Sequence, residues 1–263
     1  DMILVIDSAS SDNTVSLIKS HFPHITLDLS KQNFGYAKSN NLGIEKALKI
    51  GADYVFILNP DTVIDKKCIR SLLFQAETHV TPRLLGPKIY KVGYHASSQS
   101  KIIWSVGGAL DKKRWTAKLI GYSEVDSGQY DHLRQVDFIS GTCMFIPRKV
   151  FESGLRFLES YFMYYEDVEL CVGAQKLGFL SHVVSEATIV HYETSSKMVS
   201  KNYYLSRNHL LFVERNAPIH VKLGEFLRLP ISVWEHYKKR DIEAIRGTRD
   251  YLLRKFSAKT TQT

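Results

Sequence analysis

The chain has 263 residues, 44% hydrophobic and 24% charged, enough to bury a full core and unlike a disordered segment in composition. Its longest apolar runs fall well short of the roughly 18 residues of a membrane helix. Three scattered cysteines, Cys68, Cys143 and Cys171, offer no metal-ligand spacing and suit small core residues in a reducing cytosol.

The start, Asp1-Met2-Ile3-Leu4-Val5-Ile6-Asp7, reads as a buried strand with no basic flank of the kind a secretory leader carries. Capping residues Ser11-Asp12-Asn13-Thr14 then open a helix that runs to about His21. A strand over residues 25–29 precedes a helix over 36–50, with Leu42, Ala47, Leu48 and Ile50 on its apolar face. A third strand, 54–58, empties into Asn59-Pro60-Asp61-Thr62. Such alternation predicts an α/β fold, a mostly parallel sheet flanked by helices. Ligands bind beyond the carboxyl ends of such strands, where Asp7 and Asp61 stand.

After a helix near 67–78 the pattern loosens, and residues 93–135, rich in Gly, Ser, Lys and Tyr, read as an irregular, partly β insertion. Residues 136–147 read as a strand pair bent around Gly141. Residues 166–177 form a helix with an acidic first turn, which the helix dipole favours, and 179–184 and 188–191 read as strands. From Ser200 the chain is helical and divided by Pro218 and Pro230. The net charge of +8 concentrates here: residues 201–263 hold 13 Lys/Arg against 6 Asp/Glu, or +7. In residues 231–256, Trp234, Tyr237, Ile245, Leu252 and Phe256 recur at near-helical spacing among Lys238, Lys239, Arg240, Arg246, Arg249 and Arg254. That pattern fits a helix lying on an anionic inner leaflet, or an amphipathic helix docked on its own domain. A nucleic-acid module is disfavoured, since the chain has no zinc spacing, aromatic RNA-binding signature or evident recognition helix.

The residues that carry chemistry are few. Asp61 follows a rigid Asn-Pro turn at a strand end, and hard cations take carboxylate oxygens together with substrate phosphates. With His191 close by, the pair would suit Mg²⁺ or Mn²⁺ and a diphosphate; alone, a turn-forming Asp and a core His are the commoner readings. Glu166 and Asp167 point in different directions from a helix start, so one can take a proton from an acceptor hydroxyl while the other binds the acceptor. Routine helix-dipole acids compete with that reading; the aromatic surround Tyr161-Phe162-Met163-Tyr164-Tyr165 tilts it, because charge there is expensive. Asp7, Ser8 and Asp12 make an acceptor-rich turn suited to a pyrimidine N–H or a ribose hydroxyl, with helix capping preferred for Asp12. Residues 33–41, with Asn40, Asn41 and Lys38 at a helix entry, are apt for phosphate or nucleotide contact. No Gly-x-Gly-x-x-Gly follows the first strand, which argues against a dinucleotide-binding dehydrogenase.

Taken in order, these pieces resemble a family-2 glycosyltransferase of GT-A fold, in its rhamnosyltransferase-like branch. The likeness rests on Val5-Ile6-Asp7-Ser8-Ala9-Ser10-Ser11-Asp12, Asn33-Phe34-Gly35-Tyr36-Ala37, Leu58-Asn59-Pro60-Asp61-Thr62, Ser140-Gly141-Thr142-Cys143-Met144, Phe162-Met163-Tyr164-Tyr165-Glu166-Asp167-Val168-Glu169-Leu170, Val190-His191 and Tyr203-Tyr204-Leu205-Ser206-Arg207-Asn208. It implies a domain over residues 1–215, with a nucleotide-binding half to 90 and an acceptor half from 91, and a basic helical extension over 216–263. Asp7 and Ser8 would contact the nucleotide, Asn41 and Asn59 line the nucleotide-sugar site, Asp61 and His191 bind Mg²⁺ or Mn²⁺, and Asp167 act as the base. Glu166 and the loop at Gly141 would face the acceptor. The implied reaction is inverting transfer from a dTDP- or UDP-sugar, L-rhamnose or a hexose, to a hydroxyl of a bacterial surface glycan or lipid-linked oligosaccharide. Its implied location is the cytoplasm, at the inner face of the plasma membrane. The alternative is an inactive, carbohydrate-binding relative.

Four departures from the family pattern accompany the likeness. Asn59 stands where many relatives have the first Asp of Asp-x-Asp, and Ser8 replaces a common Asn. Gly173 replaces an Arg and weakens its helix by roughly 1 kcal/mol relative to Ala. The family's first strand, which forms a wall of the nucleotide pocket, is expected to be missing.

Overall fold

The computed structural model describes residues 2–92, 101–192 and 201–256. Strand β1 (Leu4–Asp7), helix α1 (Thr14–His21), strand β2 (Thr26–Leu29), helix α2 (Gly35–Lys49) and strand β3 (Tyr54–Leu58) alternate as the sequence predicts, followed by β4 (Thr62–Ile64) and α3 (Cys68–Glu77). Next come β5 (Leu84–Lys91), β6 (Ile103–Ser105), the hairpin β7 (Gly108–Asp111) and β8 (Thr116–Leu119), β9 (Arg134–Val136) and β10 (Cys143–Pro147). Helix α4 (Arg148–Glu152), a 3-10 turn at Glu159–Tyr161, α5 (Glu166–Lys176), β11 (Ser181–His191), α6 (Lys201–Asn216), α7 (Ile219–Lys238) and α8 (Ile242–Leu252) complete the chain.

The main sheet has seven strands, β3-β10-β5-β11-β4, with β6 also paired to β5 and β9 to β11; β1 and β2 form a separate parallel pair. It is mixed. β5 and β11 run parallel, and β3 shares their direction because β10 is antiparallel to both β3 and β5. Antiparallel ladders are more frequent than strand–helix alternation implies, because β10 and the short β4, β6 and β9 enter the sheet without crossover helices. Apolar clusters lie on both faces. One gathers Ile44, Ile57, Met144, Phe151, Val168 and Phe212; the other gathers Cys68, Leu72, Leu85, Phe145, Val184 and Ile189. Each fully buried side chain of this size contributes about 1.5–3 kcal/mol. All three cysteines are buried, as expected of core residues.

Several local expectations are corrected. The central strand β5 was not anticipated, because Gly86-Pro87 interrupts its apolar run and reads as a turn. Its fit is local: a Cβ on Gly86 would lie 2.3 Å from Ile139 Cγ2. Pro87 faces Val184, and the register with β11 shifts between Val184 and Thr188. A proline cannot donate to the ladder, and the bulge absorbs that gap. The two strands expected over 179–191 are therefore one bulged strand.

The strand pair expected around Gly141 is no hairpin, since β9 pairs with β11 while β10 pairs with β3 and β5. The insertion over 93–135 carries β6, β7, β8 and the start of β9; its residues 93–100 lie outside the described residues. Pro218 does separate α6 from α7, but α7 runs through Pro230. That proline is exposed, so the carbonyl it leaves without an amide partner can be solvated.

Candidate active site

The candidate side chains gather where β3 and β11 end. Register places His191 opposite Thr62 across the β11–β4 ladder, and the Tyr192 amide donates to the Asp61 carbonyl at 2.9 Å. This pairing brings residues 130 positions apart in sequence together: His191 Nε2 lies 3.3 Å from Asp61 Oδ1. The imidazole is 4% exposed and stacks edge-on against Trp104, ring centroids 4.7 Å apart. Neither of its nitrogens has a hydrogen-bond partner among the described residues.

A buried, unpartnered imidazole next to a carboxylate is costly unless a further group occupies the space. The pair fits a divalent cation. Two donors at about 2.1 Å from an octahedral ion and at right angles lie about 3 Å apart. No group of three or more His, Cys, Asp or Glu converges among the described residues. A shell completed by water and phosphate oxygens, as Mg²⁺ prefers, matches that donor set.

Asn59, two residues before Asp61, is tied to the loop around Gly141. The Asn59 amide donates to the Thr142 carbonyl at 3.0 Å, and Cys143 opposes Leu58 in the sheet. From the same loop the Gly141 amide donates to Asp167 Oδ2 at 2.7 Å, while the Val168 amide donates to Oδ1 at 2.8 Å. Tyr36 of α2 donates its hydroxyl to the Gly141 carbonyl. A Cβ on Gly141 would lie 2.9 Å from the Tyr36 hydroxyl, which would have to shift, and 3.4 Å from Asp167 Cβ.

Glu166 and Asp167 have different surroundings. Glu166 is 5% exposed, and its Oε2 has no partner among the described residues. Burial, and then the neighbouring Asp167 charge, push its carboxyl well above the ordinary range. Burial also raises Asp167, but the amides of Gly141 and Val168 oppose the shift. The pair therefore places its first proton on Glu166 and keeps Asp167 as the carboxylate, a division of labour set by environment.

The segment leading into these acids is strained. Phe162, Tyr164 and Tyr165 have φ of 62°, 65° and 74°, each costing about 1–3 kcal/mol for a bulky side chain. Helix α6 holds it in place. The Asn208 amide nitrogen lies 2.9, 2.7 and 2.8 Å from the carbonyls of Tyr161, Met163 and Tyr164. The fully buried Arg207 donates to the carbonyls of Ser160 and Tyr161 at 3.1 and 2.8 Å. A second chain of contacts reaches Tyr165: its hydroxyl meets His209 Nδ1 at 3.2 Å, and His209 Nε2 lies 3.6 Å from Glu225 of α7. Arg114 grips Glu225 at 2.7 and 3.1 Å, and these partners hold the Glu225 carboxyl down at about 2 against its burial.

Sequence reasoning assigned no role to Tyr36, Arg207, Asn208 or Trp104. The available signal was an Arg-Asn pair set between Tyr203-Tyr204 and Leu210-Leu211-Phe212, where buried polar groups need partners.

Three further expected residues stand at the end of β1 and on α2. Asp7, buried at the end of β1, accepts from the amide and hydroxyl of Ser10. Ser8 Oγ lies 2.7 Å from Ser39 Oγ, which ties β1 to α2. The Asn41 side chain was expected to line the nucleotide-sugar site. Its amide instead donates to the Phe157 carbonyl at 2.8 Å and accepts from the Phe157 amide at 3.0 Å. Both its polar ends are engaged in holding α2 to the segment before the 3-10 turn.

Comparison with known proteins agrees with this architecture. Residues 1–155 match the family described as glycosyl transferase family 2. The chain is 31% identical over 178 residues to the low-salt glycan biosynthesis hexosyltransferase Agl10 of Haloferax volcanii, covering 66% of this chain and 53% of that protein. It thus spans about half the length of that relative. With the N-acetylglucosaminyl-diphospho-decaprenol L-rhamnosyltransferase of Mycobacterium tuberculosis it shares 26% identity over 224 residues, 79% of this chain and 71% of the relative. The crystal structure of GalNAc-T7 with UDP, GalNAc and Mn²⁺ superposes with a TM-score of 0.58 at 13% identity, over 81% of this chain and 42% of that one. At that identity the likeness speaks for the α/β fold alone. With more than half its length matched by the family, this chain belongs to glycosyl transferase family 2.

Proposed function

We propose that the protein is an inverting, divalent-metal-dependent glycosyltransferase. The donor is a nucleoside diphosphate sugar, L-rhamnose on dTDP or a hexose on UDP, and the acceptor is a hydroxyl of a surface polysaccharide or lipid-linked oligosaccharide. Family membership and the rhamnosyl- and hexosyltransferase relatives support the class. The name of the mycobacterial relative, whose acceptor is a diphospho-decaprenol sugar, favours a lipid-linked acceptor. The observation that carries the reading is the buried His191 imidazole, unpartnered at both nitrogens among the described residues and 3.3 Å from Asp61.

Asp61 and His191 would hold Mg²⁺ or Mn²⁺, which when bound supplies Lewis-acid neutralisation of charge on the departing diphosphate. Asp7 and Ser8 would read the nucleotide, and Asn59 would border the sugar. Asp167, aligned by the Gly141 amide, accepts the acceptor's proton as that oxygen forms its bond to the anomeric carbon. The bond from that carbon to the diphosphate oxygen breaks on the opposite face, so configuration inverts. Glu166, carrying the shared proton, can donate a hydrogen bond to the acceptor.

The test is calorimetric titration of the full chain with dTDP-rhamnose and a panel of UDP-hexoses, with Mg²⁺, with Mn²⁺ and with a chelator, followed by product analysis with a lipid-diphosphate sugar acceptor. Metal-dependent binding of at least one donor is expected. Donor binding indifferent to chelation, or no donor binding at all, would overturn the reading.

A further inference from the structure

The two C-terminal helices bury different faces, and the difference carries an inference about a surface outside the catalytic cleft. Helix α8 is docked. Gly247 lets its backbone approach α6 so closely that a Cβ there would lie 2.2 Å from the Tyr203 carbonyl. Its cations are also paired, Arg246 with Glu243 and Arg249 with Asp250, and just beyond its end Arg254 pairs with Glu214. Phe256 packs against Tyr251, so the far end of the sequence-predicted stripe belongs to the protein's own core.

Helix α7 is different. Val221 and Glu225 fix one side of it to the body of the protein. The opposite side presents Leu223, Phe226, Leu227, Ile231, Trp234 and Tyr237, each at least 53% exposed. Their spacing of three and four residues makes one continuous apolar stripe along a 20-residue helix. Isolated exposed leucines need no explanation; a contiguous stripe ending in Trp and Tyr does.

The charge at the end of this stripe selects the occupant. Lys238, Lys239 and Arg240 follow Tyr237 directly, are exposed, and have no carboxylate within ion-pair distance among the described residues. Lys238 Nζ sits 3.4 Å from the Trp234 ring centroid, which joins the cationic cluster to the apolar stripe. The exposed carboxylate on this helix, Glu235, is engaged by Arg228. A helix apolar on one side, aromatic toward one end and flanked by unneutralised cations is built for the boundary between acyl chains and anionic headgroups. A second protein chain would require only the apolar stripe, and it would pay to bury three like charges.

We propose that α7 docks the protein on an anionic lipid bilayer, with Phe226, Leu227, Ile231 and Trp234 entering the headgroup boundary and Lys238, Lys239 and Arg240 meeting lipid phosphates. The opposite face of α7 holds His209 and Arg114 through Glu225, so the docked helix stands two contacts from Tyr165, the residue before the acidic pair. The proposal does not depend on the glycosyl transfer reading, because its readout involves neither donor nor acceptor.

The experiment is flotation of the full chain with vesicles of phosphatidylcholine containing about one-third phosphatidylglycerol, with pure phosphatidylcholine vesicles as control, at low and high salt. Binding to the anionic vesicles alone, weakened by salt, is expected. K238E/K239E/R240E should lower the affinity about a hundredfold or more, at about fivefold per cation, and F226S/L227S should abolish flotation. All these side chains are exposed, so the melting temperatures should match the parent; a variant that melts early is replaced by L223S/I231S, on the same stripe. Equal binding to neutral and anionic vesicles overturns the proposal. So does absence of flotation, whether the protein sediments as a monomer or as a dimer that F226S/L227S dissociates.

Discussion

The Gly141 amide donates to Asp167 Oδ2 at 2.7 Å, so the loop entering β10 and the first turn of α5 act as one unit. A Cβ on this glycine would press on the Tyr36 hydroxyl, which is bonded to the same loop, and would touch Asp167. Gly141→Ala should push the loop away from Asp167. A misplacement of about 1 Å is worth about a hundredfold in rate. The expected result is a turnover number reduced by that order with donor affinity nearly kept, read by steady-state kinetics beside calorimetry.

Replacing the proposed base itself gives a sharper result. Asp167→Asn keeps an acceptor for the Gly141 amide but cannot take a proton, so turnover should fall about a hundredfold or more while donor binding persists. Turnover like that of the parent would remove Asp167 from the mechanism.

Loss of either member of the proposed metal pair should act on binding. Asp61→Ala or His191→Ala is expected to weaken divalent-dependent donor binding at least about tenfold. Binding of Mn²⁺ in the presence of nucleotide, followed by electron paramagnetic resonance, checks this without reference to turnover. His191→Ala should also vacate the space beside Trp104, so its tryptophan emission should change in the absence of any ligand.

Glu166 gives a pH dependence whose sign follows from its burial. Its carboxyl is raised in the folded protein, so the folded state holds a proton that the unfolded chain releases near pH 4.5. Stability therefore declines as pH rises from the unfolded value through the folded one, and the penalty is complete above the latter. Glu166→Gln mimics the protonated form and should raise the melting temperature at neutral and alkaline pH. That advantage should vanish below about pH 4. Thermal melts of both proteins across pH 4–9 check the prediction; an advantage confined to acid pH would reverse the sign argued here.

How much of this was legible in the sequence depended on whether a signal was local. The alternation from β1 to β3, the Asn59-Pro60-Asp61 exit and the acidic start of α5 are read from neighbouring residues, and the structure has them. Strand β5 was missed because Gly86-Pro87 imitates a turn, and only the neighbouring Ile139 and the bulge in β11 explain those residues. The family resemblance assigns Asn41 to the nucleotide-sugar site, while its partner Phe157 lies 116 positions away and leaves no local signal. Pro230 reads as a break because propensity describes an isolated helix, whereas α7 continues through it, anchored by the buried Val221 and Glu225.

The same distance hid Asn208. Its amide nitrogen lies within 2.9 Å of three carbonyls in a segment where Phe162, Tyr164 and Tyr165 all have positive φ. The N–H groups of this one side chain offset strain that the segment cannot relieve locally. Asn208→Leu conserves volume but removes one donor from each of these carbonyls, and although Tyr161 keeps Arg207, the lost bonds cost about 1 kcal/mol apiece. The melting temperature should therefore fall by several degrees. If Asn208 also positions Asp167, turnover measured well below the melting transition should fall at least about tenfold, with donor affinity held within about twofold. Arg207→Lys supplies the comparison, since it retains the charge and loses the fork that reaches Ser160 and Tyr161. A variant at Asn208 that melts early yet turns over at the parent rate when folded would confine this residue to stability.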